Sequence, residues 1–214
     1  MHITFTSMSM LLLAYILGSV PSAVWIGKLF YNVDVREFGS GNAGTTNTLR
    51  ILGKKPALFV FIFDLLKGFV ACYLPIWMIL GADHYVIINW QILAGLAAVL
   101  GHIYPLFADF RGGKGIATLL GITMALQLDA SLICFTLFLI VLFFSKYVSL
   151  GSILAALSFP IYIIGIDGSQ HLLTVLFAVL IPLLVISTHQ KNIKRLIGRS
   201  EGKTYLFQKK NTLK

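Results

Sequence analysis

Long apolar runs separated by short polar segments organise this chain along its whole length. Asp, Glu, Lys and Arg are absent from residues 1–27 and 84–108, and Asp167 is the only such residue between 147 and 190. A helix needs about 20 apolar residues to cross a bilayer. The pattern therefore predicts an all-α, polytopic membrane helix bundle. The clearest predicted spans are residues 8–30, 56–80, 85–107, 147–166 and 171–188.

The first predicted span has one feature of a signal peptide, since its apolar run ends at Ser22-Ala23. It lacks a basic segment in front, however, and Pro21 fits a cleavage site poorly. A retained helix is therefore favoured, and we count it as a membrane span.

Residues 115–145 decide the topology, because their single charge, Asp129, leaves a stretch that is too long for one helix and short for two. A double crossing or a re-entrant hairpin places Lys114, Lys146 and the basic C-terminal residues on one side of the membrane. A single crossing would put Lys146 opposite Lys114. Cytoplasmic loops are enriched in Lys and Arg, so the sequence predicts seven transmembrane helices, with the N-terminus outside and the C-terminus cytoplasmic. A hairpin would give six membrane segments with the same sidedness.

The composition agrees with a membrane protein and argues against several other classes. Of the 214 residues, 57% are hydrophobic and 12% are charged, which is far below the ~25% charge of a soluble domain. The net charge of +9 does not predict a nucleic-acid partner, because the basic residues lie between spans. Cys72 and Cys134 lie in apolar stretches without metal-ligand spacing, so neither a disulfide nor a metal site is predicted. The crossings use up the chain, which predicts a single domain over residues 1–214 with a loosely ordered cytoplasmic tail at 202–214.

The first polar segment, residues 38–50, has the composition of an anion-binding site. Its glycines let successive backbone amides point into one concavity, and Arg50 offers a forked partner for phosphate. A flexible loop followed by a short amphipathic helix is the alternative. Further donors are Ser40, Asn42, Thr45, Thr46 and Asn47.

The same segment matches a dinucleotide-binding fingerprint in its residue types and spacing, but not in the structure that the fingerprint requires. Gly39, Gly41 and Gly44 have the required spacing, and Asp64 follows Gly44 by twenty residues. That fingerprint needs a strand–turn–helix unit whose acidic residue ends a second strand. Asp64 lies inside an apolar span, so no nucleotide cofactor is predicted.

Two further segments on the predicted cytoplasmic side carry similar chemistry. Gly112, Gly113 and Lys114 precede a helical run, so that amides, a helix N-terminus and an ammonium can converge on one phosphate. An ordinary tight turn is the alternative. His189 and Asn192 are three residues apart and share one helix face. For that segment the alternative is a stop-transfer tail attracted to anionic lipid.

Asp64 and Lys67 form an ionisable pair inside the second predicted span. Their spacing places them on one helix face, and charges at such depth usually face the bundle interior, either at a site or as a pair that locks helices together. Gly68, beside the lysine, permits close approach of another helix. His102, near the end of the next span, is interpreted as a structural hydrogen bonder.

Together these segments resemble the bacterial acyl-phosphate-dependent glycerol-3-phosphate acyltransferases, a family of integral membrane enzymes of phospholipid synthesis. The resemblance covers nearly the whole chain and rests on several motifs in order. They are Gly18-Ser19-x-Pro21-Ser22, Gly39-Ser40-Gly41-Asn42-x-Gly44-x-Thr46-Asn47-x-x-Arg50, Asp64-x-x-Lys67-Gly68, Gly101-His102-x-Tyr104-Pro105, Gly112-Gly113-Lys114-Gly115 and His189-x-x-Asn192-Ile193-x-Arg195-Leu196-x-Gly198-x-x-Glu201. The tail after Glu201 is longer than the resemblance leads us to expect.

The resemblance implies transfer of a fatty acyl group from acyl phosphate to the 1-hydroxyl of glycerol 3-phosphate, which yields lysophosphatidic acid and phosphate. It implies a site that faces the cytoplasm at the bacterial inner membrane, in contact with membrane lipid, without cofactor or metal; no oligomeric state is predicted. By motif position, the implied catalytic residues are Ser40, Lys114 and His189. The implied substrate-binding residues are Ser40, Asn42, Thr46, Asn47, Arg50, Gly112, Gly113, Lys114, His189 and Asn192, with Asp64, Lys67 and His102 in supporting roles.

Two questions stay open at the level of sequence. His189 is the obvious candidate base, yet a substrate phosphate can take the proton instead, and the resemblance favours that substrate-assisted route. A small anion channel or transporter with a cytoplasmic phosphate-binding vestibule is the alternative function, because glycine loops and intramembrane charges also line permeation paths.

Overall fold

A computed structural model of the chain describes residues 5–79, 81 and 83–205. Within those residues the regular elements are all helical, as the sequence predicts, and no strand is present. The α-helices are α1 (Phe5–Gly18), α2 (Ser22–Tyr31), α3 (Thr45–Ile51), α4 (Lys54–Met78), α5 (His84–Ile103), α6 (Ile116–Leu126), α7 (Leu128–Ser145), α8 (Val148–Pro160), α9 (Leu172–Thr188) and α10 (Gln190–Ile197). Most of the predicted tail, residues 206–214, lies outside the described residues.

Four to six of the described helices or helix pairs are suited to crossing a membrane. Helices α4, α5 and α7 are long and apolar enough, as is α8 together with the π-helical turn Ile161–Ile166. Two bent pairs, α1 with α2 and α9 with α10, raise the number to six if each pair is one span. Helix α6 has 11 residues, or about 16 Å at 1.5 Å per residue, which is well short of the ~30 Å hydrocarbon core.

The first predicted span differs from expectation, because it is broken into two helices. Helices α1 and α2 meet at an angle of 41°. The break contains Pro21, which has no amide hydrogen to donate and disfavours helical geometry in the residue before it. A single continuous helix over residues 8–30 is therefore wrong.

The ambiguous stretch 115–145 forms two helices, α6 and α7, which turn at Gln127. Their outer ends lie at the same end of the bundle. Lys114, before α6, bonds to Asn192, and Asn192 bonds in turn to Glu201. Glu201 also accepts a hydrogen bond from Ser149, just after α7. The stretch therefore forms a helical hairpin rather than one continuous helix.

Glycines allow the closest helix contacts around α4 and α5. A β-carbon placed at Gly68 of α4 would lie 2.2 Å from the carbonyl oxygen of Thr118 in α6. One placed at Gly18 would lie 2.1 Å from the carbonyl oxygen of Ala98 in α5. Small residues at such contacts let backbones approach in a bilayer, where dispersion rather than water exclusion drives association. This packing holds together the helix ends that carry the polar loops.

Candidate active site

A polar cavity of about 160 Å³ lies where the three predicted segments meet. Their convergence is the spatial arrangement on which the sequence interpretation depends. The wall combines the loop before α3, the start of α6, and the junction of α9 with α10. Predicted site and supporting residues that line the cavity are Ser40, Asn42, Thr46, Asn47, Arg50, Asp64, His102, Lys114, His189 and Asn192.

Hydrogen bonds of the Asn47 side chain shape the loop before α3. The Asn47 side chain is buried, and its Nδ2 donates to the carbonyl oxygens of Val35 at 2.7 Å and Phe38 at 3.1 Å. Its Oδ1 accepts from the Ser40 amide at 2.9 Å. Gly39 supports this turn with a φ of +61°, a region that glycine enters without strain. Both Nδ2 hydrogens of Asn47 are thus engaged within the loop, where the side chain also holds the Ser40 amide, and Asn47 itself lines the cavity.

Arg50 reaches the cavity from α3 and also contacts the C-terminal segment. Its guanidinium donates from Nη2 to the carbonyl oxygen of Gly202 at 3.0 Å. Asn42 and Thr46 line the same wall. A cation and several neutral donors therefore face one space, which is the chemistry that an oxyanion or a phosphate requires.

Lys114 is the second cation of the cavity and is held by a relay of side chains. Its Nζ donates to Asn192 Oδ1 at 2.5 Å, and Asn192 Nδ2 donates to Glu201 Oε1 at 2.7 Å. Glu201 accepts further hydrogen bonds from Ser149 Oγ at 2.8 Å and from Arg195 Nε at 2.9 Å. Burial opposes the Glu201 charge, but the hydrogen bonds from Asn192 and Ser149, together with the charge and hydrogen bond of Arg195, outweigh it, so the pKa of Glu201 is lowered. A carboxylate thus orients the amide that positions the ammonium.

Sequence reasoning did not assign Glu201 or Ser149 to the site, although both line the cavity. A signal for Glu201 was available, since it is the only acidic residue among the eight basic residues of the C-terminal segment 191–214. Ser149 carries no comparable signal.

Gly112 and Gly113 do not take the place that the sequence predicts for them. Their amides donate to the carbonyl oxygens of Ile103 and His102, both at 3.1 Å, and neither residue lines the cavity. A β-carbon at Gly113 would lie 2.1 Å from His102 Nε2. These glycines therefore allow the loop to pack against the end of α5, directly before Lys114.

The junction of α9 and α10 turns by 66° and carries His189. His189 Nδ1 lies 2.8 Å from the carbonyl oxygen of Val185. A carbonyl only accepts, so Nδ1 carries the hydrogen and Nε2 is left as an acceptor. Burial lowers the pKa of His189 to about 4, assisted by the charge of Lys114 and opposed by the Val185 carbonyl. The imidazole is therefore neutral near pH 7 and is a weak base.

Asp64 and Lys67 pair as predicted, and Asp64 lines the cavity. Lys67 Nζ lies 2.9 Å from Asp64 Oδ1 and donates to the Val20 carbonyl at 3.0 Å. Asp64 Oδ1 also accepts from Ser22 Oγ at 2.8 Å, and His102 Nδ1 lies 3.6 Å away. This cluster joins α2, α4 and α5, because each helix contributes at least one of its members.

The segment Gly198-Arg199-Ser200-Glu201-Gly202 has the letters of a serine-nucleophile elbow, a match that sequence reasoning missed. Such an elbow needs a strand that leads into a helix, and this segment follows α10 without a strand. Ser200 does not line the cavity, and its Oγ lies 3.5 Å from the Arg195 carbonyl. It is not a nucleophile in this arrangement. In the part of the chain that the structure describes, no group of three His, Cys, Asp or Glu residues is arranged to hold a metal ion.

An apolar slot of about 100 Å³ adjoins the polar cavity. It is lined by residues of α6, α7, α8 and α9 together with Phe61 of α4. The site thus places cations beside a hydrocarbon-lined space. The residues that line both spaces are Phe61, Ile116, Ala117, Phe138 and Ser152.

Comparison with known proteins identifies the family of this chain. The sequence model of the family described as glycerol-3-phosphate acyltransferase matches residues 8–199. The chain belongs to the glycerol-3-phosphate acyltransferase family. One similar member, the glycerol-3-phosphate acyltransferase of Listeria monocytogenes serovar 1/2a, is 45% identical over 192 residues, which cover 90% of this chain and 93% of the relative. A member from Fusobacterium nucleatum is 40% identical over 193 residues, with 90% and 95% covered.

Two solved structures of this acyltransferase family share the fold. They are crystal structures of PlsY (YgiH), an integral membrane glycerol 3-phosphate acyltransferase, in its glycerol 3-phosphate form and its lysophosphatidic acid form. Their TM-scores are 0.83 and 0.81, each with 37% sequence identity, 94% of this chain and 99% of the other chain covered. The chain is therefore an acyltransferase of the integral membrane type, and the alternative of an anion channel is set aside.

Proposed function

We propose that this protein transfers a fatty acyl group from acyl phosphate to the 1-hydroxyl of glycerol 3-phosphate, yielding lysophosphatidic acid and phosphate. The observation that carries the proposal is the junction of a cavity lined by Arg50 and Lys114 with an apolar slot. Both substrates carry a phosphate, and one carries a long hydrocarbon chain. A site for the pair must offer cations beside an apolar space, and this site offers both.

In the proposed complex, Arg50 and Lys114 bind the phosphate of glycerol 3-phosphate, and the acyl chain lies in the slot. The glycerol oxygen attacks the carbonyl carbon of acyl phosphate, and the bond from that carbon to the phosphate oxygen breaks. Holding the two reactants in this orientation supplies roughly 7–11 kcal/mol in ideal cases. Ser40 or an amide of its loop stabilises the oxyanion, a contribution on the order of 3 kcal/mol. No cofactor is needed, because acyl phosphate is already an activated donor.

The leaving phosphate takes the hydroxyl proton in the proposed mechanism. A neutral His189 whose pKa is lowered to about 4 is a poor base near pH 7. Its Nε2 still accepts a hydrogen bond and thereby orients the glycerol hydroxyl. Under this proposal, His189 positions the nucleophile and the substrate supplies the base.

We expect His189→Gln to retain turnover within about tenfold of the wild type, because a glutamine oxygen can still accept the hydroxyl hydrogen bond, whereas losing a general base costs about 10²- to 10⁴-fold. The measurement is the turnover rate and KM for glycerol 3-phosphate at saturating acyl phosphate. If turnover instead falls by about 100-fold or more while KM stays unchanged, His189 is the essential base.

The pKa of Lys114 predicts the pH above which glycerol 3-phosphate binds more weakly. Burial lowers the pKa of Lys114 to about 8, opposed by the charge of Glu201 and assisted by the charges of Arg195 and Arg50. The ammonium is charged below that pH and neutral above it, so KM for glycerol 3-phosphate should rise as the pH increases through about 8. Lys114→Arg should remove the rise, since a guanidinium stays protonated to about pH 12. Parallel pH profiles for the two enzymes would contradict this assignment.

We also propose the finer topology and location that the charge pattern predicts. The chain is a single domain of seven crossings in the bacterial inner membrane, with the short α6 and the longer α7 as a consecutive pair, the N-terminus outside and the C-terminus cytoplasmic. Lys114 and Lys146 precede and follow that pair at one end of the bundle, and the positive bias of cytoplasmic loops puts this end inside. The active site then faces the cytoplasm.

The proposed reaction is tested with purified protein in detergent. Phosphate release from palmitoyl phosphate should depend on added glycerol 3-phosphate, and lysophosphatidic acid should form in equal amount. Palmitoyl thioester serves as the comparison donor and should not replace acyl phosphate. Release that is independent of glycerol 3-phosphate, or transfer from the thioester alone, would overturn the proposal.

A further inference from the structure

An arginine that does not line the polar cavity joins two of the loops around it. Arg36 lies four residues before Ser40, and its side chain is 7% exposed. Its Nη1 donates to the carbonyl oxygen of Ala108 at 2.7 Å. Ala108 lies in the loop that leads to Lys114. One side chain thus connects the loop that carries Ser40 to the loop that precedes Lys114.

A carboxylate fixes the direction in which the Arg36 side chain points. Arg36 Nη2 donates to Asp34 Oδ2 at 2.8 Å, and Arg36 Nε donates to Asp34 Oδ1 at 3.0 Å. Such two-point pairing with a carboxylate restricts the orientation of a planar guanidinium. The hydrogen bond from the Arg36 side chain holds the pKa of Asp34 well below its usual range, so both groups are charged near pH 7. The pairing leaves Nη1 aimed at Ala108. We call Asp34, Arg36 and the Ala108 carbonyl the arginine clasp.

The turn that receives Nη1 has an irregular backbone. Asp109 and Phe110, directly after Ala108, have φ values of 55° and 54°, a region that non-glycine residues seldom enter. The Ala108 carbonyl oxygen accepts from the Arg111 amide at 3.0 Å, and Arg36 uses its second lone pair. Asp109 Oδ2 lies 3.5 Å from the same Nη1, but the Asp109 side chain is 82% exposed. The clasp therefore supports this turn at its carbonyl.

The two loops also share an apolar contact, and a second hydrogen-bonded connection leads from it to Ser40. Val35 is fully buried in the same apolar cluster as Ala108. Apolar contacts are not directional, so the hydrogen bond from Arg36 is what fixes the register of the loops. The Val35 carbonyl oxygen accepts from Asn47 Nδ2, and Asn47 Oδ1 accepts from the Ser40 amide. The residue beside Arg36 is thereby bonded to the side chain that holds Ser40.

The two cations of the cavity have anchors of their own. Arg50 donates to the Gly202 carbonyl, and Lys114 donates to Asn192. Both anchors belong to the C-terminal part of the chain rather than to the clasp. Loss of the clasp would therefore displace the Ser40 turn relative to the cations, without removing a cation from the cavity.

We propose that Arg36 is a positioning residue for acyl transfer, which holds the Ser40 turn in register with the loop that leads to Lys114. The proposal rests on the proposed function, because it takes Ser40 to stabilise the oxyanion. A misplacement of about 1 Å in such a group can cost about 100-fold in rate. The clasp therefore acts on turnover more than on the binding of glycerol 3-phosphate.

The first test compares Arg36→Lys with the wild type in detergent. A lysine keeps the positive charge beside Asp34, but its compact ammonium lacks the planar fork that reaches Asp34 and Ala108 together. We expect kcat to fall by about 10- to 100-fold. KM for glycerol 3-phosphate should stay within about threefold, and the thermal unfolding midpoint should stay close to that of the wild type, because the charge pair is kept. A lysine variant with the wild-type kcat would overturn the proposal.

Ser40→Ala supplies a readout that a purely structural role of Arg36 would not move. Residues that act through one another are not additive. Arg36→Lys should therefore cost less than about threefold in kcat when Ser40 is already alanine. A loss of folded enzyme would lower kcat by the same factor in both backgrounds, and that result would overturn the proposal.

Lys28→Ala is the matched control. Lys28 Nζ also pairs with Asp34 Oδ2, at 3.2 Å, but the Lys28 side chain is 55% exposed. Of the two cations described beside Asp34, Arg36 is the one that also bonds to Ala108. Removing Lys28 should leave kcat and KM within about twofold, since exposed pairs contribute little. Should Arg36→Lys fail to elute as a single species, the neutral pair Asp34→Asn with Arg36→Gln replaces it, with the same expected loss of kcat.

The outcomes separate this proposal from the proposed function. An active wild type, with a kcat that Arg36→Lys leaves unchanged, would overturn the positioning role and leave the reaction intact. An equal loss of kcat in Lys28→Ala would also overturn it, because the charge beside Asp34 would then explain the effect. A wild type that transfers no acyl group from any acyl phosphate would instead overturn the proposed function.

Discussion

Lys114→Ala should raise KM for glycerol 3-phosphate by about 30- to 1,000-fold, since truncating one member of a buried charge pair costs about 2–4 kcal/mol. The ammonium lies in a partly buried cavity where water screens little of its charge, and Asn192 and Glu201 hold it in place. The acyl phosphate KM should change less, because its chain retains the slot. Steady-state kinetics with each substrate varied in turn provide the measurement.

Lys191→Ala is the control for that variant. Lys191 lies on α10 beside Asn192 and is exposed, outside the cavity. Its removal deletes the same charge from the same end of the bundle and should leave KM within about twofold, as exposed charges contribute little. Retention of full activity and unchanged glycerol 3-phosphate affinity in Lys114→Ala would show that the phosphate binds elsewhere.

Asp64→Asn should lower the thermal unfolding midpoint strongly, because breaking a buried ion pair from one side costs about 3–5 kcal/mol. The asparagine would leave the Lys67 ammonium with the Val20 carbonyl but without the carboxylate that lies 2.9 Å away. Thermal unfolding of the purified protein in detergent measures the effect.

The double variant Asp64→Asn with Lys67→Met distinguishes charge from packing. It removes the unpaired ammonium and keeps an apolar side chain of similar length, so it should recover much of the lost thermal stability. A single variant that unfolds at the wild-type temperature, or a double variant that is no better than the single one, would contradict an essential pairing of these charges.

The sequence was sufficient to locate several of the long helices, because a membrane span is visible in the sequence as a local apolar run. Helices α4, α5 and α9 each begin within two residues of the predicted spans. Apolar runs do not show where a helix bends or ends, however. The bend before α2 depends on Pro21, and α6 ends at Leu126, where the backbone turns at Gln127 between two long apolar runs.

Some features of the site follow from residue spacing in the sequence, whereas others depend on contacts between residues that are distant in the sequence. Spacing predicted that Asp64 and Lys67 would pair, since three residues of helix bring them together. The engagement of Asn47 within its own loop required the positions of backbone groups seven to twelve residues away. The role of Glu201 was still harder to predict from the sequence, because its contact with Ser149 requires the chain to turn back toward α8 after α10.

The shared wall between the cavity and the slot has a consequence for the routes by which the two products leave the enzyme. The inorganic product has no hydrocarbon and would depart through the aqueous opening, whereas the acylated product keeps its tail in the slot and would pass sideways into the lipid. The protein would thereby sort its two products by solubility. A water-insoluble intermediate would be delivered straight to the bilayer, where an enzyme that consumes it can meet it by diffusion in two dimensions.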